Sequence, residues 1–229
     1  MEHETKNILF AWDFHGVLEK DNEYAVLEVT NRVLKNYKVK RQMTLEECRL
    51  WCGLSWYDYF KNLYPKQKDK IYTAMVEKAC EIQTKENISG KYIKPMDEAL
   101  ETLDKIKGFH HSNIVISNSN PKIVKYFTDL VGLTSYFDDL LGADKHHLRT
   151  YKAHLKKSSL LTEFLQNHQF NKVVMIGDTA DDILADKSIG AITYLFTGSR
   201  CFTDHDLIDE IKPDYVIEKL SNVLDELRT

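Results

Sequence analysis

The stretch Ile8-Leu9-Phe10-Ala11-Trp12-Asp13-Phe14-His15-Gly16 constrains this chain more than any other. An uninterrupted apolar run ends abruptly in a carboxylate. A strand exposed on one face alternates apolar with polar residues. This run does not, so it predicts a strand buried on both faces, as in a parallel sheet. Asp13 then stands at the strand's carboxyl end, the edge at which open parallel sheets bind ligands. The pattern recurs. Asn113-Ile114-Val115-Ile116 leads into Ser117-Asn118-Ser119-Asn120, and Val173-Val174-Met175-Ile176 leads into Gly177-Asp178-Thr179-Ala180-Asp181-Asp182. One polar residue after a strand is ordinary turn or helix-cap chemistry. If the three strands are neighbours, however, Asp13, Ser117, Asp178 and Asp182 converge on one place.

The first two of these strands are far apart in sequence. Residues 22–91 read almost entirely as helix. Tyr24, Leu27, Val29, Val33, Leu34 and Tyr37 follow an approximate helical period. Thr44 with Glu47 forms a capping-box pattern, and a further helix starts at Ser55 and stops before Pro65. Ile71, Met75, Val76, Ala79 and Ile82 mark another, ending around Asn87 to Gly90. Roughly 70 helical residues exceed a simple crossover between parallel strands. They predict a small all-helical domain, residues 19–91, inserted after the first strand into a core of residues 1–18 and 92–229. In that core, Pro95 is expected to open a helix closed by Gly108, and Pro121 another through Leu130. Leu140 to Ala143 reads as a short strand, residues 152–168 as a helix, and a further helix runs from Asp178 to near Gly190. Ala191 to Phe196 and Tyr215 to Ile217 read as strands, and Leu220 to Leu227 as a closing helix. Alternating strand and helix predicts an α/β, Rossmann-like parallel sheet with right-handed crossovers.

Charge and hydropathy narrow the function classes. The formal net charge of −4 over 229 residues gives no general attraction to nucleic acid or to an anionic membrane. No apolar stretch approaches the roughly 20 residues of a bilayer span. The charged start, Met1 to Lys6, leads straight into the first strand, so no signal peptide is expected and a cytoplasmic location is. Cys48, Cys52, Cys80 and Cys201 lack the paired spacing of a zinc site and are expected to be reduced and structural. His110-His111 and His146-His147 read as exposed loop residues.

These motifs, in this order, resemble the haloacid dehalogenase superfamily, most of whose members are magnesium-dependent phosphatases. The family's Asp-x-Asp-Gly-Thr/Val stands here as Asp13-Phe14-His15-Gly16-Val17. Its strand-ending Ser or Thr matches Ser117, and its Gly-Asp-x-x-x-Asp matches Gly177-Asp178-Thr179-Ala180-Asp181-Asp182. Its lysine has several candidates, Lys145, Lys152, Lys156 and Lys157. Lys152 is preferred, because Lys152-Ala153-His154-Leu155 is placed like the family's Lys-Pro-x-Pro, although both prolines are missing. Residues 22–91 fall where one branch inserts a helical cap. Tyr136-Phe137-Asp138-Asp139 and Leu141-Gly142-Ala143-Asp144 also resemble that branch.

The resemblance implies hydrolysis of a small phosphorylated metabolite through an aspartyl-phosphate on Asp13. It implies Mg²⁺ held by Asp13, Asp178 and the backbone carbonyl of His15, with Asp182 supporting the metal or the lysine. Ser117, Asn118 and Lys152 would bind the phosphoryl group. Gly53-Leu54-Ser55-Trp56 resembles the substrate-specificity loop of such caps. His15 departs from the pattern, replacing the acid/base aspartate. An imidazole near its ordinary pKa of about 6.5 could protonate a leaving oxygen or take a proton from water. Alternatives stay open: His15 only shapes the turn, the chemistry is dehalogenase-type displacement at carbon, or the protein is a catalytically weak binding or regulatory one. Monomer and homodimer are equally compatible with the sequence.

Overall fold

The computed structural model describes residues 7–52, 54–142, 153–187, 189–199 and 206–228. The chain opens with β1 (Ile8–Trp12) and β2 (Glu19–Lys20). Five helices follow: α1 (Asn22–Asn36), α2 (Leu45–Leu50), α3 (Trp56–Leu63), α4 (Asp69–Glu86) and α5 (Ile88–Tyr92). Next come β3 (Lys94–Pro95), α6 (Ala99–Gly108), β4 (Ser112–Ser117), α7 (Pro121–Leu130) and β5 (Asp139–Gly142). Then follow α8 (Ala153–Gln166), β6 (Lys172–Gly177), α9 (Ala180–Lys187), β7 (Ile192–Phe196), α10 (Asp206–Ile211) and β8 (Tyr215–Ile217).

Six strands form one parallel sheet in the order β5-β4-β1-β6-β7-β8. The expected α/β, Rossmann-like architecture is thus the observed one, and the three motif strands are adjacent. β1 lies between β4 and β6, with Trp12 beside Val115 and Ile176. Residues alternate across a strand, so both faces of β1 need apolar cover. Phe10 and Trp12 pack with Val115, Val174, Ile176 and helix residues Leu103 and Ile106 on one side. Leu9 and Ala11 pack with Ile114, Ile116, Met175 and Leu161 on the other. The one indole N–H inside this layer is satisfied: Trp12 Nε1 donates to Asn113 Oδ1 at 3.0 Å.

Helices α1 to α5 surround a separate cluster that includes Val29, Val33, Phe60, Met75, Ala79 and Ile88. The local signals explain their starts. Thr44 Oγ1 accepts from Glu47 N at 3.1 Å while Thr44 N donates to Glu47 Oε2 at 2.9 Å, completing the capping box. Ser55 caps α3. β2 and β3 pair antiparallel where the chain leaves and re-enters the sheet layer. Lys94–Asp21 at 2.9 Å and Lys20–Asp97 at 2.5 Å brace that crossing.

Three expectations need correction. Pro95 does not open a helix; it closes the β2–β3 pair, and α6 starts at Ala99 after Glu98 takes a left-handed conformation. Asp178 is not helical; α9 starts at Ala180, leaving Asp178 on the turn beyond β6. The closing segment Leu220–Arg228 is a 3₁₀ helix, which turns Leu220 and Val223 into the core. His111 also differs from a plain exposed residue. It is half-buried, receives the Ile8 N–H on Nδ1 at 3.4 Å, and burial lowers its pKa. His146 and His147 lie outside the described residues.

Candidate active site

Asp13, Ser117 and Asp178 stand at the carboxyl ends of three adjacent buried strands. Asp13 follows β1, and its N–H is held by the Ile176 carbonyl at 2.8 Å, which extends the sheet pairing by one residue. Ser117 ends β4 and Asp178 follows β6. All three are buried, as is Asp182. One carboxylate oxygen from each of Asp13, Asp178 and Asp182 lies within 4.8 Å of the others.

A cation is already part of this cluster. Lys157, from α8, is only 3% exposed, and its Nζ donates to Asp13 Oδ1 at 2.7 Å and to Asp182 Oδ1. The lysine the structure places here is therefore Lys157, one of the candidates but not the preferred one. Lys152 lies outside the described residues, as does Lys145, and nothing of the Lys156 side chain is described. Lys152 is favoured by the likeness of Lys152-Ala153-His154-Leu155 to the family's Lys-Pro-x-Pro. What decides the matter is which residue of α8 faces the sheet's carboxyl edge, and that depends on how the helix packs. The apolar neighbour Leu161, one turn further along, was the available clue: Lys157 shares its side of the helix.

Asp182 is committed to the protein. Besides Lys157, it accepts on Oδ2 from Thr179 N at 3.1 Å and Thr179 Oγ1 at 2.7 Å. This arrangement suits holding the lysine more than ligating a metal. Burial pushes the Asp13 carboxyl up to about 6; Lys157 pulls it down, and the neighbouring Asp182 pushes it up again. For Lys157, burial disfavours the ammonium, but Asp13 and Asp182 outweigh it and hold its pKa well above the ordinary lysine range.

Two close approaches shape the Asp178 side of the cluster. Gly16 has φ +81°, and a Cβ there would stand 2.0 Å from Asp178 Oδ2 and 3.2 Å from Ser199 Oγ. Glycine is required both for the left-handed backbone and for the space Asp178 occupies. Gly177 meets Asp182 in the same way, at 2.2 Å from Asp182 Cβ. Ser199, buried beside this turn, went unnoticed in the sequence because no motif spacing marks it.

On the opposite side, Ser117 Oγ accepts from Ser119 N at 3.1 Å, and Asn118 Oδ1 is buried without a hydrogen-bond partner among the described residues. Gly142 allows Ser119 O to approach its Cα, and the loop then enters α7 through the Asn120 cap and Pro121. His15 lies edge-on to Phe14 and Phe127, at 5.2 and 5.0 Å between ring centres. Its Nδ1 is 3.0 Å from Glu19 Oε1. In the helical layer, Ser55 is taken up by its cap and by Asp58 Oδ2 at 2.6 Å, Trp56 packs against the helical cluster, and Leu54 is exposed. Gly53 lies outside the described residues.

A Rossmann-like sheet carrying an Asp–Asp–Lys cluster at its carboxyl edge defines a class of hydrolases. The haloacid dehalogenase-like hydrolase family model matches residues 9–195, and the chain belongs to that family. A phosphoglycolate phosphatase of Vibrio parahaemolyticus is 26% identical over 127 residues, 55% of this chain and 53% of the relative. The chain thus spans about half the length of the phosphoglycolate phosphatases it matches. A pyrophosphatase of Bacillus mycoides is 21% identical over 214 residues, 93% of each chain. A haloacid dehalogenase-like family hydrolase of Streptococcus pneumoniae has the same fold, with a TM-score of 0.80 over 97% of this chain and 99% of that one at 16% identity. Among the described residues, no helix is long and apolar enough to cross a membrane.

Proposed function

We propose that this chain is a Mg²⁺-dependent phosphatase that hydrolyses a small phosphorylated metabolite through an aspartyl-phosphate on Asp13, in the cytoplasm, with residues 19–91 as its substrate-selecting cap. The single observation that carries the reading is the buried cluster of Asp13, Asp178 and Asp182 at the end of the central strand, with Lys157 held by Asp13 and Asp182. The names of the matched phosphatases support it.

The donor set fits a hard divalent cation. Asp13 and Asp178 offer buried carboxylate oxygens, and the His15 carbonyl would supply a third oxygen. When bound there, Mg²⁺ offsets the repulsion between a carboxylate and a phosphate and polarises the phosphoryl oxygens. The protein's own groups account for the rest. The Asp13 carboxylate attacks phosphorus, the bond to the leaving oxygen breaks, and His15 supplies the proton that oxygen needs. Water then attacks the aspartyl-phosphate, His15 takes its proton, and the electron pair of the breaking P–O bond returns to Asp13. Lys157 orients Asp13 and balances phosphoryl charge, Asp182 holds Lys157, and Ser117 with the Asn118 region binds phosphoryl oxygens. Leu54 and Trp56 would meet the remainder of the substrate.

The test is hydrolysis of an aryl phosphate and a panel of metabolite phosphates with and without Mg²⁺, with Asp13→Asn as control. Mg²⁺-dependent turnover that Asp13→Asn abolishes is expected. Turnover unchanged in Asp13→Asn, or none across the panel, refutes the proposal.

A further inference from the structure

His15 has an unusual neighbour. Glu19 lies four residues on, is 2% exposed, and carries a β-bridge to His15 through the backbone. Its Oε1 is 3.0 Å from His15 Nδ1, while its Oε2 is buried with no hydrogen-bond partner among the described residues. A buried carboxylate is costly unless it accepts a strong hydrogen bond. The imidazole is the donor available to it, and it can donate only if the proton is on Nδ1. The Asn22 carboxamide, with Nδ2 3.3 Å from the same Nδ1, then turns its oxygen inward, a half-turn that leaves its shape unchanged. The Phe14 and Phe127 rings hold the imidazole plane from the sides. Nε2 has no protein hydrogen-bond partner among the described residues.

We propose that Glu19 is a positioning residue that locks His15 in the Nδ1–H tautomer and so leaves Nε2 as the nitrogen that exchanges protons with the reacting groups. The catalytic half of this inference rests on the phosphatase reading; the tautomer itself does not. Nε2–H of the imidazolium gives its proton to the leaving oxygen as the P–O bond breaks. The neutral ring left behind already has its proton on Nδ1, so the Nε2 lone pair takes the proton of the attacking water. The ring returns to its starting state after each turnover. With the other tautomer, Nε2 would keep its proton and no base would face the water. The same logic governs histidines whose second nitrogen is held by a carboxylate, where loss of that partner costs about 10- to 100-fold.

The test has two arms. Heteronuclear NMR of the full chain, with histidine labelled in its ring nitrogens and His15 assigned by its loss in His15→Asn, reads the neutral ring's tautomer. Nδ1–H is expected in the native protein and in Glu19→Gln, whose amide oxygen still accepts, and a shift toward Nε2–H in Glu19→Leu. A native His15 in the Nε2–H form, or no change in Glu19→Leu, overturns the lock. In the kinetic arm, Glu19→Leu should lower kcat about 10- to 100-fold with little change in KM, Glu19→Gln should recover most of it, and Glu19→Leu should cost nothing further in a His15→Ala background. An equal loss in that background means Glu19 acts on the fold alone and overturns the inference. Native protein without Mg²⁺-dependent turnover refutes the phosphatase reading together with the catalytic half, while the NMR arm still decides the tautomer.

Discussion

Replacing Lys157 by Met tests the cluster's energetics directly. Lys157 Nζ stands 2.7 Å from Asp13 Oδ1 and also contacts Asp182, with every partner buried. At an effective dielectric of about 20, a pair at that distance attracts by about 6 kcal/mol before desolvation is counted. Methionine fills similar space but leaves two buried carboxylates facing each other without a cation. Removing one partner of a buried pair costs about 3–5 kcal/mol, a large part of the roughly 5–15 kcal/mol that stabilises a typical domain. For a chain of this size that is a fall in Tm of very roughly 6–20 °C. Urea and thermal unfolding of the metal-free protein measure it. The double variant Lys157→Met/Asp182→Asn should regain part of the loss, because it removes one of the two stranded charges. A Lys157→Met protein within about 1 kcal/mol of the native one, or a double variant less stable than the single, would show that the ion pairs do not organise this cluster.

Gly16→Ala places a Cβ where Asp178 Oδ2 stands and forces a left-handed residue, so it should cost about 1–2 kcal/mol in unfolding and weaken Mg²⁺ binding, by calorimetry, far more than a surface Gly→Ala change. The Asp13 carboxyl is pushed up to about 6 in the fold, above its ordinary value, so its contribution to stability is full at low pH and is lost as pH rises toward 6. Asp13→Asn should therefore flatten the metal-free stability profile between those limits, and in the native protein Mg²⁺ affinity should fall as pH drops below about 6; a parallel pair of profiles refutes this. Thr44→Ala removes the hydroxyl half of the capping box, leaving only the backbone N–H of residue 44 to Glu47, and should destabilise the helical layer by about 0.5–2 kcal/mol, read by urea unfolding followed through Trp51 and Trp56 fluorescence.

By itself the sequence determined the sheet and most of the site. Strands buried on both faces must be apolar throughout, so Ile8–Trp12 and the runs before Ser117 and Asp178 were visible as strands. Their first polar residues then had to fall at one edge. Helices α2 and α3 were legible for the same local reason: Thr44 and Ser55 are starts that the chemistry of a few residues dictates. What only the tertiary structure decided are partnerships between distant residues. Lys157 is separated from Asp13 by 144 positions, and which lysine of α8 reaches the cluster depends on the rotation of that helix against the sheet. Pro95 does not open a helix because its role comes from Glu19, a strand partner on the far side of the helical insertion. Glu19 itself is close to His15 in sequence, yet its burial, and hence its need for the imidazole proton, arises only in the folded chain, where β2 pairs with β3. Patterns of apolar period and capping are set within a turn or two of chain. The choice among chemically equal charged side chains is made by packing, and no local pattern carries it.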